Sequence, residues 1–546
     1  MKAQQDLTHR ETAPDLDFDA IVIGAGISGL YQLYRLRDDL GMKVRCFEMG
    51  TGVGGTWYWN RYPGARFDSE SYSYAYSFSQ ELLDEWDWSE HFAAQPETEK
   101  YLNYVSDKFD LRRNIQFSSK VTACHYQEKT RSWKVWLEDG SEHTCRFLAT
   151  CIGPLSAPTF PKIEGRESFQ GEAYHTGLWP KHEVSFEGKD VAVIGTGATG
   201  VQAITEIAKT AKTLTIFQRR PNWCKPLHNK HISKEEMEEL RAWYPEMFRL
   251  CQESYSCFLH TADPRNTFDL SPEEREAFWE NQYQTPGFSM WVGSFKDMMT
   301  NRAANDEVSK FVARKIRERV KDPKVAELLI PKDHGFGTRR VPQESGYYEV
   351  FNQPNVKLVS ILDNPIRRIT PTGIELADRS FKLDMIVYAT GFDAITGAFD
   401  RIDIRGIGGE RLKEKWHRAL ETFLGMLVEN FPNIFMIIGP HSALGNIPRS
   451  IEYAVDWVTE LIKYLRDHDY TYVEPTREAV EDWTNFVIET GKGLLSNEVD
   501  SWMTGINQNV EGKQKRIIAR YSGSAPVFRE KANTVAVGGY KKLVLD

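Results

Sequence analysis

Apolar positions follow two periods along this 546-residue chain, and the places where one period gives way to the other repeat. Phe18-Asp19-Ala20-Ile21-Val22-Ile23 closes on a continuous apolar run, the pattern of a buried strand. It runs straight into Gly24-Ala25-Gly26-Ile27-Ser28-Gly29, after which Leu30, Leu33, Tyr34 and Leu36 take helical spacing. Val44-Arg45-Cys46-Phe47-Glu48 is the next strand. The same order returns with Val191-Ala192-Val193-Ile194, the turn Gly195-Thr196-Gly197-Ala198-Thr199-Gly200, a helix through Ile204 and Ile207, and the strand Leu214-Thr215-Ile216-Phe217-Gln218. Strand, glycine turn, helix, strand is the start of a Rossmann unit, so the pattern predicts an α/β fold with two Rossmann-like dinucleotide-binding domains.

Between about 225 and 330 the period stays helical. Ser233-Lys234-Glu235-Glu236 reads as a capping box, Ser271-Pro272-Glu273-Glu274 and Asp322-Pro323 as helix starts, and Val308, Phe311, Val312, Ile316 and Val320 as one buried face. This segment is expected to be an all-helical insertion in the second domain. The expected boundaries are a polar tail over 1–17, a first domain from 18–155 and 385–546, a second from 156–224 and 331–384, and the insertion over 225–330.

Composition narrows the partners. Asp and Glu number 77 against 68 Lys and Arg, a net charge of −9, which tells against a nucleic-acid partner. No run of 18 uncharged apolar residues exists, so no membrane span is expected. Seven cysteines without CxxC spacing argue against a disulfide framework, a zinc site or a dithiol redox centre, and no metal site is expected. With a polar N-terminus that has no apolar core, the expected location is cytoplasmic. No obligate protein partner is evident.

The two turns differ in the residues downstream of them. A first glycine permits the tight turn, a second lets phosphate approach the backbone, and a third lets helix pack on strand, while the N–H groups at the helix start hold pyrophosphate. In the first unit Gly24, Gly26 and Gly29 are followed by Glu48, an acceptor for ribose hydroxyls that suits the adenosine of FAD. In the second, Thr196, Gly197, Ala198, Thr199 and Gly200, with Gln202 on the helix, are followed by Gln218-Arg219-Arg220. Two guanidiniums in place of a carboxylate favour the 2′-phosphate of NADP. A disulfide reductase is excluded, because Met49-Gly50-Thr51-Gly52-Val53-Gly54-Gly55-Thr56-Trp57 has no cysteine.

Three further stretches carry a resemblance. Phe169-Gln170-Gly171-Glu172-Ala173-Tyr174-His175-Thr176-Gly177-Leu178-Trp179-Pro180 matches in full the FxGxxxHxxxWP fingerprint of type I Baeyer–Villiger monooxygenases. Gly55 through Asp68 resembles their GxWxxxxYPGxxxD motif, and Ala389-Thr390-Gly391-Phe392 their ATG motif. The likeness spans about residues 18 to 540. It implies that Gly55, Thr56 and Trp57 pack along the flavin, with Tyr74, Val121 and Ile447 also approaching FAD. It implies that Arg340, in Gly337-Thr338-Arg339-Arg340, sits over the flavin face with Asp68 orienting it, and that Arg339 meets the NADP 2′-phosphate. Many relatives have Lys at 339, where charge is kept here while donor geometry changes, and relatives often have Thr at 220, where Arg220 departs from the pattern. Trp502 matches a mobile loop that folds over NADP. His175, in a linker, reads as structural.

The function so implied is an NADPH-dependent, FAD-containing monooxygenase that uses O2, through a flavin peroxide, to convert ketones to esters or lactones. Arg340, never deprotonated, would favour the anionic oxygen species. The small and apolar residues of His441-Ser442-Ala443-Leu444-Gly445-Asn446-Ile447 suit a small neutral ketone. A flavin N- or S-oxygenating enzyme and a non-catalytic FAD/NADP redox sensor are the alternatives.

Overall fold

The computed structural model describes residues 15–546. The expected polar tail therefore lies outside the described residues except for 15–17. Asp17 is already tied down, its Oδ2 accepting from the backbone N–H and hydroxyl of Thr144 at 2.8 Å.

The first sheet is built from β1 (Phe18–Ile23), β2 (Val44–Phe47), β3 (Ile115–Gln116), β4 (Val121–Gln127), β5 (Ser132–Leu137) and β6 (Glu142–Thr150). β2 and β6 flank β1 in parallel, with Ile23 opposite Phe47 on one side and Thr150 on the other. β4, β5 and β6 form an antiparallel meander. Two late strands, Asp403–Arg405 and Ile434–Met436, return to pair with β4 and β6, which makes this part of the fold discontinuous in sequence.

The second sheet contains β7 (Glu172–His175), β8 (Asp190–Ile194), β9 (Thr213–Gln218), β10 (Val356–Ser360) and β11 (Met385–Tyr388), in the order β10-β9-β8-β11-β7 and all parallel. β8 is buried along Val191, Ala192 and Val193, which explains its unbroken apolar sequence. β11 corrects the boundary drawn at 385. Met385–Tyr388 pairs with β8 and β7, so the chain leaves the second unit only after this strand.

The segment 225–330 is helical over Lys234–Glu253, Pro272–Gln284, Arg302–Arg319 and Pro323–Leu329. It opens, however, on a strand: Lys225–Pro226 pairs in parallel with Gln343–Glu344. Nor does it pack as one body. Met237, Tyr244 and Met247 join the core of the first unit, whereas Trp279, Phe311, Ile316 and Leu329 join that of the second. Ser271 and Glu274 form a complete capping box. Ser233 caps its helix through Glu236 N–H at 3.2 Å, but Glu236 turns its carboxylate to His91 instead of closing the box.

The fingerprint stands where the chain crosses between the two sheets. His175 Nδ1 accepts from Gly177 N–H at 3.0 Å and Nε2 faces Thr159 O at 3.2 Å. With both ring nitrogens engaged and burial pulling its pKa down to about 4, His175 stays neutral. Thr159 N–H donates to Gly391 O at 3.0 Å and Thr390 Oγ1 to Thr159 O at 2.6 Å. The ATG stretch and the linker ahead of the fingerprint thus bind each other, and His175 fastens the join.

Candidate active site between the two turns

At the first turn each glycine has its own physical reason. Gly24 sits at φ +98°, and a Cβ there would lie 2.6 Å from Cys151 O. A Cβ on Gly29 would lie 1.7 Å from Gly24 O, so only glycine lets the helix start this close to the strand. Gly26 faces Gly55, itself at φ +53°, so two bare backbones line the cradle. Glu48 is buried at its edge. Its Oε2 accepts from Ala25 N–H and its Oε1 from Gly50 N–H, both at 2.7 Å. Burial nevertheless pushes its carboxyl up.

From Gly55 the chain enters the short helix Thr56–Trp59. Trp57 is buried and donates from Nε1 to Tyr74 OH at 3.2 Å; Phe67 stacks on Tyr74 with ring centres 4.3 Å apart. Val121 is a buried core residue at the start of β4, and Ile447 begins the long helix Ile447–Asp467.

Asp68 and Arg340, far apart in sequence, meet. Arg340 Nη1 lies 2.7 Å from Asp68 Oδ2, the Asp68 side chain being fully buried. Gln343 N–H donates to the same oxygen at 3.2 Å. The guanidinium also lies 5.6 Å from the centre of the Phe288 ring. Its approach to Asp68 is charge to charge, since Nη1 completes no hydrogen bond there, and Asp68 Oδ1 is likewise buried without a partner. Asn446, anchored through Nδ2 to Ser73, leaves Oδ1 buried and bare. Buried polar atoms without partners cost free energy, and such atoms beside a ring-stacked aromatic wall fit a flat, polar-edged group such as an isoalloxazine.

The second turn is open. Gly195 (φ +109°) and Gly200 are as constrained as their counterparts, but a Cβ on Gly197 would meet nothing within 4 Å. Thr196 Oγ1 donates to Arg220 O at 3.1 Å, and Thr199 stands beside Thr176. Arg219 and Arg220 are exposed, and among the described residues Arg219 has no carboxylate partner. Asp333 gathers the rest: Arg220 and Arg339 approach its Oδ2 at 3.4 and 3.3 Å, and His334 Nδ1 its Oδ1 at 2.7 Å. The hydrogen bond from His334 and the nearby guanidiniums hold Asp333 down at about 2, whereas burial pulls Arg339 below its ordinary value. Asp500, two residues ahead of the turn Trp502–Thr504, also acts on Arg339, which places that loop beside the arginines. Such a cluster of guanidiniums fits a nucleotide with a 2′-phosphate.

Gln202, expected at the cofactor, is engaged within the protein. Its Oε1 accepts from Tyr62 OH at 2.7 Å and its Nε2 donates to Arg66 O at 3.0 Å, so its amide is spent on the loop that leads to Asp68. Asp333 and His334 went unread, although they stand in the same loop as Arg339 and Arg340. Phe288 went unread because nothing in an isolated aromatic marks the cation it faces.

A family model described as flavin-binding monooxygenase-like matches residues 19–233. The chain is 45% identical to 2-oxo-Δ3-4,5,5-trimethylcyclopentenylacetyl-CoA monooxygenase of Pseudomonas putida, over 98% of this chain and 99% of that one. It is 40% identical to cyclohexanone 1,2-monooxygenase of an Acinetobacter species, over 96% of each. It is 39% identical to phenazine N-monooxygenase of Lysobacter antibioticus, over 97% of each. A crystal structure of OTEMO in complex with FAD and NADP superposes with a TM-score of 0.94 at 44% identity, covering 98% of this chain and 100% of that one. Glycine cradle, buried carboxylate, arginine cluster and full-length likeness converge: the chain belongs to the flavin-binding monooxygenase-like family, among its Baeyer–Villiger monooxygenases, and is an NADPH-dependent, FAD-containing oxidoreductase.

Proposed function

We propose that the substrate is a ketone bound beside Arg340, which this chain converts with NADPH and O2 to an ester or lactone. The observation that carries this is the Arg340–Asp68 pair, a permanent cation fixed at 2.7 Å from a fully buried carboxylate, with one face turned to Phe288. Bound FAD, once reduced by NADPH, supplies the activation of dioxygen. The protein's task is to hold negative charge on oxygen while a carbon migrates. A guanidinium does not titrate near neutral pH, so Arg340 offers its charge in every cycle. Aimed at oxygen in a water-poor site beside Phe288, it contributes more than in water. Asp68 fixes the direction of that charge and reduces its freedom to swing. Gly197 leaves room for the pyrophosphate of NADPH, and the cluster of Arg219, Arg220 and Arg339 recognises its 2′-phosphate.

Oxygen transfer to nitrogen is the second reading, favoured by the relative named phenazine N-monooxygenase. One assay separates them. Purified holoenzyme, NADPH and oxygen are mixed with ketones, sulfides and amines, and mass spectrometry reads which substrate gains one oxygen. Ketones giving esters are the expected result; gain of oxygen only by amines or sulfides overturns it.

A further inference from the structure

Arg520 is a cation without a counterion. It makes no ion pair and no hydrogen bond among the described residues, and its Nε is buried and unpartnered. Burial pulls its pKa below the ordinary value, and Tyr255 is the one titratable group that acts on it. A guanidinium partly withdrawn from water and left unpaired costs free energy, while its remaining nitrogens stay open to a ligand. Its place in the chain says what the charge is for. Ala519 O accepts from His441 N–H at 3.1 Å and Tyr521 pairs with Ala443, so Arg520 is pinned between two residues laced to the His441–Ile447 loop. The insertion reaches the same loop from its other side: Asn446 N–H donates to Ser256 O at 2.9 Å, and Tyr255 OH donates to Ser522 O at 2.7 Å. Tyr255 stays exposed over much of its side chain. The loop that both segments hold is the one assigned to the ketone.

We infer that Arg520 is a specificity-determining residue that binds an anionic group, carboxylate or phosphate, carried by the ketone substrate at a distance from its carbonyl. This rests on the placement of the ketone beside Arg340 and revises the neutral substrate expected from residues 441–447: the small side chains of that loop leave room for a ketone, while Arg520 calls for an anionic group on it.

The test uses holoenzyme and three matched ketones: 4-oxocyclohexanecarboxylate, its primary amide, and the phosphate monoester of 4-hydroxycyclohexanone. Wild type should turn over at least one of the two anions with a kcat/KM about thirtyfold or more above the amide, and the better anion identifies the source of the charge. Arg520→Leu should bring that ratio close to one; Arg520→Lys, which keeps the charge without the planar fork, should retain part of it. Binding is read independently as the change in flavin absorbance on titrating cyclohexanecarboxylate and cyclohexyl phosphate, and Arg520→Leu should abolish it for the anion that wild type prefers. Wild-type turnover of amide and anions at similar kcat/KM overturns the inference while leaving ketone oxidation standing. A ratio unchanged in Arg520→Leu, or a loss confined to NADPH binding, overturns it as well. Absence of turnover on every ketone fails the underlying reading instead. If Arg520→Leu does not fold, the wild-type ratio and the lysine variant decide.

Discussion

The two glycine turns share a motif and differ in what surrounds it. At the first, Gly26 faces another backbone at Gly55, and Glu48 already holds two amides inside the protein. At the second, Gly197 faces open space, and the charges beyond it, Arg219 and Arg220, lie at the surface. Third glycines are closed off in both, a Cβ on Gly29 or Gly200 falling 1.7 or 2.4 Å from a carbonyl oxygen, since they serve helix-on-strand packing rather than the ligand. The contrast teaches that a nucleotide meant to stay is met by buried, preassembled polar groups. One that exchanges every cycle is met by accessible charge.

The largest test of the comparison is Gly29→Ala. Its Cβ would overlap Gly24 O, so the variant should lose bound flavin or fail to fold, as visible absorbance and the yield of yellow protein will report. Gly197→Ala should fold and stay yellow yet bind NADPH more weakly, because the space it fills belongs to phosphate. Colourless protein from Gly197→Ala would erase the distinction.

Between the turns, Arg340→Ala should leave flavin reduction by NADPH intact and cut ester formation by about 10²–10³. Stopped-flow absorbance reads the first half, product analysis the second, and normal ester yield removes Arg340 from the chemistry. A smaller effect is expected from Arg219→Ala, about tenfold on the KM for NADPH and none on that for NADH. Equal changes for both would mean that Arg219 meets no 2′-phosphate.

The smallest effect is on stability against pH. His175 and His441 are buried and neutral, each with its pKa pulled from 6.5 to about 4 by burial. The unfolded chain binds protons that the folded one refuses. Their contribution is therefore whole above pH 6.5 and is lost as pH falls toward 4. Replacing His175 by Asn should flatten the fall in melting temperature between pH 6.5 and 4, and an unchanged slope would show that the ring is not held neutral.

The strand-turn-helix units were legible because their signals are local: a buried run, three glycines and a helical period within a few dozen residues. The Arg340–Asp68 meeting was reached through resemblance, since no local pattern joins residues this far apart. Three things escaped for a common reason. Met385–Tyr388 reads as a strand, but which sheet claims it depends on pairing with β8. The insertion reads as helical, but its division between two cores depends on which apolar faces find which neighbours. Arg520 reads as one basic residue among many until the lack of any partner among the described residues becomes visible in three dimensions.

The amide of Gln202 grips Tyr62 and Arg66, and Gly64 between them rests so close that a Cβ would lie 2.8 Å from Gln202 O. The helix behind the open turn is thereby geared to the stretch that ends at Asp68. One continuous set of contacts therefore runs from the helix of the nucleotide turn through Tyr62, Gly64 and Arg66 to the carboxylate that faces Arg340.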